Sequence, residues 1–467
     1  MKRFQNTQRR TAALISLVAV VAALPATLSA AAIEGDTPPA WPYAQDIPQA
    51  EPATISLAGE YPADISRFLA AEGAAGAEVN AQGTDILYLS RVTGVNQVWR
   101  VSTDGGQSQQ LTFGGGVTFF RWHPDGEHLI YGADTAGDEK EAFYLLSKDG
   151  TFEKLLLERS SAYRSFGAFN GNGSEFVFAS TERNGRDFDI WVGSLTGGAR
   201  LVYEGSFGFF PLEWQPGGSL VLVGETRGED GQNLHLLDLS TGEMRPLRVP
   251  EVSADYRDGT FSDDGKSIYL SHNEGREMLA VAKMDIATGT FEVIAEANAD
   301  LDTLSASVSK AGTTLAWTVN NGGYSLLRTK DMASDTVTEV EGLPEGVYSV
   351  SMSEDGKTLA VNVYGPRIPG DIYVVKDGKA SRVFAGSLAG IKADTLSVPK
   401  SVSFAARDGL TLHGLLYSPQ GTAPKAGYPV VVNVHGGPTA QARPRYNPLI
   451  QYLVGRGIAV LDVNVRG

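Results

Sequence analysis

The sequence predicts a mainly β protein: a seven-bladed β-propeller at residues 76–394, followed by the first strands of an α/β domain at residues 395–467. The propeller is predicted by a pattern of glycine and apolar residues that recurs seven times, at intervals of 43 to 47 residues. The α/β domain is predicted by two apolar runs near the end of the chain, separated by a Gly-Gly loop and a helical pattern. A hydrophobic content of 42% and a charged content of 20% fit a folded chain of two or more domains.

Residues 1–31 are expected to be a secretory signal peptide. Basic residues precede the apolar run 12–24, and the small residues 29–32 offer cleavage sites. A run of about 13 residues is shorter than the roughly 20 that a membrane-spanning helix needs, which favours cleavage over the alternative of an uncleaved anchor. The mature protein is therefore expected to be exported, to the periplasm or the extracellular space, without insertion into a membrane.

Residues 32–75 are expected to form a linker that contains a short helix. Ile65, Phe68 and Leu69 have the spacing of one helical face, and Gly73 follows as a stop signal. Proline and alanine dominate the rest of this segment, so it is a poor candidate for an eighth blade.

Each repeat is built around a turn glycine with apolar residues at fixed distances from it. One apolar residue stands four positions before the glycine, and two more stand three and five positions after it. The pair at +3 and +5 has the two-residue period of a β-strand, and glycine suits the tight turn before it. The seven turn glycines are Gly83, Gly126, Gly173, Gly218, Gly265, Gly312 and Gly356.

Most repeats contain a second turn signal, such as Asp149-Gly150 or Asp377-Gly378. Each repeat is therefore predicted to form two hairpins, and hence four strands. Four strands at a period of about 45 residues are typical of a propeller blade, which buries its two faces only against neighbouring blades. Seven repeats predict seven blades.

The last part of the chain has the order of elements that opens an α/β-hydrolase sheet. The sequence predicts a hairpin at residues 401–417, a strand covered on both faces at Val430–Val434, a helix at residues 447–453 that ends near Gly455, and a buried strand at residues 458–463. A sheet with only these strands is expected to leave apolar edges and faces bare.

These segments resemble the prolyl oligopeptidase family of serine peptidases, in which a propeller precedes the hydrolase domain. The resemblance rests on residues 428–438 (YPVVVNVHGGP), 451–453, 455–460 and 464–467. The acylaminoacyl-peptidase and dipeptidyl-peptidase-like branches look most similar, through the His-Gly-Gly-Pro loop and the style of the repeats. Lipase-like esterases have similar loops.

The resemblance implies acyl transfer by a Ser-His-Asp triad. No Gly-x-Ser-x-Gly motif occurs in the 467 residues, so the catalytic Ser, Asp and His are expected beyond Gly467. The chain as given is accordingly expected to be an inactive fragment. By the same resemblance, Gly437 is the main candidate for an N–H donor to the oxyanion, with Gly436 beside it. Some family members have a Tyr at the position of His435, which makes His435 the third candidate. The alternative is a Gly-Gly turn that merely ends a strand.

Peptides are the expected binding partners, and no cofactor or metal is expected. A formal charge of −15 argues against nucleic acid, and the lack of cysteine excludes disulfides and thiolate chemistry. The six histidines show no metal-ligand spacing, and His123 and His128 are expected at the surface. Glu139 and Glu141 are weak candidates for binding a substrate amine, as paired carboxylates do in dipeptidyl-releasing relatives, and a solvated loop is the alternative.

The predicted function is that of an exported serine peptidase that hydrolyses peptide bonds of short peptides. Two alternatives stay open. A non-enzymatic periplasmic propeller that binds a protein partner would account for the repeats but not for the His-Gly-Gly-Pro loop. An α/β-hydrolase esterase would share the loop, but a propeller is an unusual companion for it. Residue preference, exo- or endo-cleavage and oligomeric state are not predicted.

Overall fold

The computed structural model describes residues 63–466, apart from residues 229–230, 297–300, 310–311 and 438–439. The predicted signal peptide and most of the predicted linker lie outside the described residues. The described chain begins with helix α1, Ile65–Leu69, in which Asp64 caps the N-terminus by accepting the Ser66 N–H. Among the helices that the structure describes, none is long and apolar enough to cross a membrane.

Twenty-eight strands follow, in seven antiparallel sheets of four, and each sheet is one continuous stretch of chain. Sheets one to four contain β1 Ala75–Val79, β2 Asp85–Ser90, β3 Gln97–Ser102, β4 Gln109–Gln110, β5 Phe119–Trp122, β6 His128–Ala133, β7 Ala142–Ser147, β8 Glu153–Leu157, β9 Arg164–Phe169, β10 Glu175–Ser180, β11 Asp189–Ser194, β12 Ala199–Tyr203, β13 Phe209–Trp214, β14 Leu220–Thr226, β15 Gln232–Asp238 and β16 Met244–Arg248. Sheets five to seven contain β17 Tyr256–Phe261, β18 Ser267–His272, β19 Ala280–Asp285, β20 Phe291–Glu296, β21 Leu301–Val308, β22 Thr314–Asn321, β23 Tyr324–Asp331, β24 Thr336–Glu339, β25 Val347–Met352, β26 Thr358–Gly365, β27 Ile368–Lys376 and β28 Lys379–Phe384.

The seven sheets are the predicted blades of a propeller. The first strand of each sheet lies next to the first strand of the following one, and β1 lies against β25 of the seventh sheet. The ring therefore closes by packing of the first blade on the seventh, in a cluster that includes Ile86, Tyr88 and Ala360. The predicted +3 and +5 positions are buried in all seven blades, with 0 to 6% of their surface exposed.

Six of the seven predicted turn glycines have a positive φ, between 62° and 74°. The prediction is wrong for Gly218, because in the fourth blade the positive φ (63°) falls on Gly217. Pro216 precedes it, and a proline at the second position of a turn with glycine at the third is the pattern of a type II turn. The turn still closes at the predicted place, where the Gly218 N–H donates to the Gln215 carbonyl.

After a short 3-10 helix, Ala393–Thr395, the chain forms one mixed sheet of β29 Lys400–Ala405, β30 Thr411–Tyr417, β31 Val430–Val434 and β32 Ala459–Val463. The sheet order is β29-β30-β32-β31, and β31 runs parallel to β32. Helix α2, Pro448–Gly455, connects these two strands, as the helical pattern predicts. Asn447 caps it by accepting the N–H groups of Leu449 and Ile450.

The prediction that β31 is covered on both faces is wrong for the described part of the chain. Val430, Val432 and Val434 are 57 to 59% exposed, because β31 is an edge strand and no described element packs over it. The expectation of a bare apolar edge is met. Helix α2 covers the two inner strands instead, where Ile450 and Val454 pack against residues of β30 and β32.

The mixed sheet is fixed to the propeller through α2. Gln451 is 3% exposed and accepts the Ser397 N–H at 2.8 Å, while its amide donates to the carbonyls of Ser397 (2.8 Å) and Pro366 (3.1 Å). Pro366 lies in the turn between β26 and β27 of the seventh blade. One side chain thus links the helix, the linking segment and a blade.

Replacing Gln451 by leucine is expected to lower the free energy of unfolding by about 1–3 kcal/mol, because buried backbone groups of Ser397 and Pro366 lose their partner. Urea denaturation checks this. Gln420→Leu is the matched control: Gln420 is exposed, and its side chain donates to the exposed Asp394 carbonyl, so a change within about 0.5 kcal/mol is expected. Equal effects of the two substitutions would contradict the role assigned to Gln451.

Candidate active-site loop

The carboxyl ends of β31 and β32 bring two loops together at one edge of the mixed sheet. The strands pair in parallel from Val430–Ala459 to Val434–Val463, so His435 and Asn464 follow them at the same level. In α/β sheets this edge is where ligands bind. The three predicted oxyanion candidates, His435, Gly436 and Gly437, therefore lie at the edge of the sheet where α/β proteins bind ligands.

The imidazole of His435 is engaged with the backbone of both loops. Its Nδ1 lies 2.8 Å from the Gly436 carbonyl oxygen, which can only accept, so Nδ1 carries the proton. Its Nε2 then offers a lone pair, which faces the Val465 N–H at 3.5 Å. In this arrangement the ring supports the loop, and it has no remaining N–H to donate to an oxyanion.

The two glycines leave the loop backbone open. Gly436 and Gly437 are both exposed, and a Cβ placed on Gly436 would meet nothing within 4 Å. Gly437 has a φ of 140°, a conformation that L side chains rarely adopt. A carbonyl oxygen can therefore approach the backbone N–H groups here without meeting a side chain.

Polar contacts under the loop hold its two flanking strands in register. The Asn433 amide donates to the Asp462 carboxylate at 2.8 Å, and Asp462 is buried. Burial raises the pKa of Asp462, against the lowering effect of the hydrogen bond from Asn433. Asn464 accepts the Ala442 N–H at 2.7 Å, which fixes the chain that leaves the loop. The sequence placed Asn464 within the family motif but gave no sign of the Asn433–Asp462 pair.

The chain that leaves the loop reaches the propeller within a few residues. Gln441 bonds the Asn320 amide, and the Arg443 guanidinium donates to the Gly323 carbonyl (2.8 Å) and to Ser325 Oγ (3.1 Å). These partners lie at the turn between β22 and β23 in the sixth blade. The loop is thus anchored against the end of the propeller that carries the turns between second and third strands.

A cavity of about 1340 Å³ lies at the opposite end of the propeller. Its lining comes from first strands such as β9 and β13 and from the turns between first and second strands, which include Asn172, Asp263 and Glu354. Since these turns and the ones that hold the mixed sheet are at opposite ends of each blade, the cavity opens on the face away from the loop.

Glu139 and Glu141 lie on the turn between β6 and β7, at the end of the propeller that the mixed sheet contacts. Glu139 is exposed, as the solvated-loop interpretation expects. Glu141 is half-buried beside a cavity of about 190 Å³, and burial raises its pKa. Its Oε2 is enclosed and accepts no hydrogen bond from the described residues. The two carboxylates therefore differ in environment: both lie in the loop, and Glu141 is less exposed to solvent than the solvated-loop interpretation expects.

Comparisons with known proteins add relatives by sequence and by fold. No family model matches the chain. It is 25% identical over 431 residues to dipeptidyl aminopeptidase BIII of Pseudoxanthomonas mexicana, covering 84% of this chain and 59% of that protein. It is 28% identical over 161 residues to the uncharacterized peptidase YuxL of Bacillus subtilis, covering 32% of this chain and 24% of that protein. The chain thus spans less than two thirds of these relatives.

A solved structure from a study of two prolyl endopeptidases superimposes with a TM-score of 0.70 at 16% identity, over 86% of this chain and 63% of that one. At this identity the likeness concerns the fold alone. The superposition covers both the propeller and the mixed sheet. The chain is thus similar in sequence to proteins named as peptidases, and similar in fold to a solved structure from a study of prolyl endopeptidases.

Proposed function

We propose that this chain is the propeller and oxyanion-loop part of an exported serine peptidase that hydrolyses peptide bonds of short peptides. The observation that carries the proposal is the His-Gly-Gly loop at the carboxyl end of β31, with Gly437 at a φ of 140° and both glycines exposed. Backbone N–H groups at such an edge stabilise the oxyanion of acyl transfer. Two of the sequence relatives are named as peptidases.

Each part of the loop has a distinct task in this proposal. Gly437 presents its N–H to the carbonyl oxygen of the substrate, and Gly436 keeps the approach open because it has no side chain. His435 holds the loop through the Gly436 carbonyl and the Val465 N–H. The proposal places the Ser, Asp and His of the triad outside these residues, because no Gly-x-Ser-x-Gly motif occurs in them and the chain covers 59% of dipeptidyl aminopeptidase BIII.

The propeller is proposed to restrict substrates by size, since the loop is anchored directly on the sixth blade through Arg443. Substrates must then reach the loop through or beside the propeller, which favours peptides over folded proteins. Export rests on the layout of residues 1–31 and is checked by the N-terminal sequence of the mature protein, which should begin near residue 32.

Paired assays on the protein made from the complete reading frame test the reaction class. We expect hydrolysis of chromogenic peptide amides with a higher kcat/KM than hydrolysis of short-chain acyl esters. Turnover of esters alone would replace the peptidase with an esterase. Turnover of neither, by a protein that is folded by circular dichroism, would favour the non-enzymatic binding protein.

A further inference from the structure

Three side chains that play no part in the proposed reaction converge at the first turn of the second blade. His123 Nδ1 lies 3.0 Å from Asp125 Oδ1, and His128 Nδ1 lies 2.8 Å from Asp125 Oδ2. The three ligand atoms lie within 4.8 Å of one another. His123 is 7% exposed, so the expectation that it is a surface residue is wrong, whereas His128 remains partly exposed.

The proton on His123 is assigned by its neighbour in the third blade. His123 Nε2 lies 3.1 Å from the Gly173 carbonyl oxygen, which can only accept, so Nε2 carries the proton. The same link recurs elsewhere in the ring: the Asn80 amide donates to the Gly126 carbonyl, and the Gln215 amide donates to the Gly265 carbonyl. Joining one blade to the next therefore accounts for Nε2 of His123.

Nδ1 of His123 then carries the lone pair of the ring and lies close to a carboxylate oxygen. It accepts the Asp125 N–H at 3.2 Å, yet Asp125 Oδ1 lies only 3.0 Å away. Oδ1 already accepts the N–H groups of Glu127 and His128. Two acceptors at this distance repel each other unless a cation lies between them, which is either a second proton on the ring or a metal ion.

The fifth and seventh blades show how the same turn is normally satisfied. Ser262 and Ser353 occupy the position of His123, and their hydroxyls donate to Asp264 Oδ1 (2.7 Å) and Asp355 Oδ1 (2.8 Å). In the second blade the neutral imidazole supplies no such proton, because its one N–H is given to the Gly173 carbonyl. A cation at this place would satisfy both the ring and the carboxylate.

The donor set indicates which cation fits. Two imidazole nitrogens and one carboxylate, with an open position on the partly exposed side of His128, match the ligands and the coordination number of zinc. Metal-bound histidines commonly donate their second N–H to a backbone carbonyl, as His123 does to Gly173. The ring is held closely there, since a Cβ on Gly173 would lie 2.0 Å from Nε2.

We propose that the second blade binds one Zn²⁺ through His123 Nδ1, the Asp125 carboxylate and His128 Nδ1, with water as the fourth ligand. The His-x-Asp-x-x-His spacing is that of a hairpin turn, so these residues do not show a recognisable metal-ligand spacing in the sequence. His123 also lines the 1340 Å³ cavity, so the ion would stand at its edge and stiffen the junction of the second and third blades.

Titration of the untagged, chelator-treated protein with Co²⁺ and Zn²⁺ tests the proposal. We expect one Co²⁺ per chain with the visible absorption of a tetrahedral site, displacement of Co²⁺ by Zn²⁺, and a higher thermal midpoint with Zn²⁺. Three substitutions copy residues that other blades have at these positions: His123→Gln as in Gln215, Asp125→Asn as in Asn172, and His128→Thr as in Thr358. Each is expected to weaken binding by at least about 100-fold.

His123→Gln is the most informative of these variants, because glutamine can keep the hydrogen bond to the Gly173 carbonyl while it removes the metal ligand. His413→Gln, far along the chain in β30, is the control and should bind Zn²⁺ as the parent does. The proposal is overturned if the parent binds no Co²⁺ in a tetrahedral site. It is equally overturned if folded His123→Gln and Asp125→Asn proteins bind Zn²⁺ as tightly as the parent.

Discussion

Replacing Phe176 by alanine is expected to lower the free energy of unfolding by about 3–5 kcal/mol, because this is the usual effect of removing a buried aromatic ring. Phe176 is 0% exposed and lies in a cluster of rings, with centroids of Phe178 and Phe166 at 5.8 and 5.9 Å. Its ring also covers Gly193 of the neighbouring strand, and Gly193 has no side chain that could fill the space left by the ring. The urea midpoint of the intrinsic fluorescence transition measures the effect.

Phe113→Ala is the matched control for this prediction. Phe113 is 78% exposed in the loop that connects the first blade to the second, so the same change of side chain should alter stability by no more than about 0.5 kcal/mol. If both substitutions shifted the midpoint equally, the assignment of the +3 positions as the structural core of the blades would be wrong.

The Gly437→Ala enzyme, made from the complete reading frame, is expected to lose about 100- to 1,000-fold in kcat, with little change in KM. Alanine does not readily adopt the φ of 140° at this position, so the loop must turn and the N–H moves away from the oxyanion. Loss of one oxyanion donor has an effect of this size. Steady-state kinetics with a peptide amide measures it.

Gly455→Ala provides the control for the loop substitution. Gly455 ends α2, lacks a positive φ, and a Cβ there would meet nothing within 4 Å. This variant should therefore keep the parental kcat. A Gly437→Ala enzyme with unchanged kcat would show that the loop merely ends β31.

The blades could be predicted from sequence because their determinants are local and repeated. Each blade needs a turn glycine and apolar residues two apart, and Phe176 and Phe178 carry that signal within a few positions of Gly173. The one shift, from Gly218 to Gly217, also has a local cause in Pro216. The Pro216-Gly217 pair is itself the sequence signal for this turn, with the positive φ at its glycine.

The environment of β31 could not be predicted in the same way. An apolar run such as Val430–Val434 signals a strand that favours burial on both faces, but it does not say which residues provide the cover. In the described chain nothing does, so the valines are exposed. Burial depends on long-range contacts, which the sequence pattern of a single strand does not identify.

The site was predicted in part, and for a similar reason. The motif located His435, Gly436 and Gly437, but only the fold shows that the His435 ring is engaged by the Gly436 carbonyl. The cluster of His123, Asp125 and His128 was missed because its geometry depends on the Gly173 carbonyl of the next blade. Contacts between blades fix both the tautomer and the burial of His123.

Covalent labelling with a fluorophosphonate probe tests the central claim most directly, applied in parallel to the 467-residue chain and to the protein from the complete reading frame. The account predicts that the 467-residue chain stays unlabelled. It predicts that the complete protein is labelled at one serine after Gly467, within a Gly-x-Ser-x-Gly motif, and more slowly when Gly437 is replaced by alanine. Labelling of an active-site serine within residues 1–467, or no labelling of a folded complete protein, would contradict it.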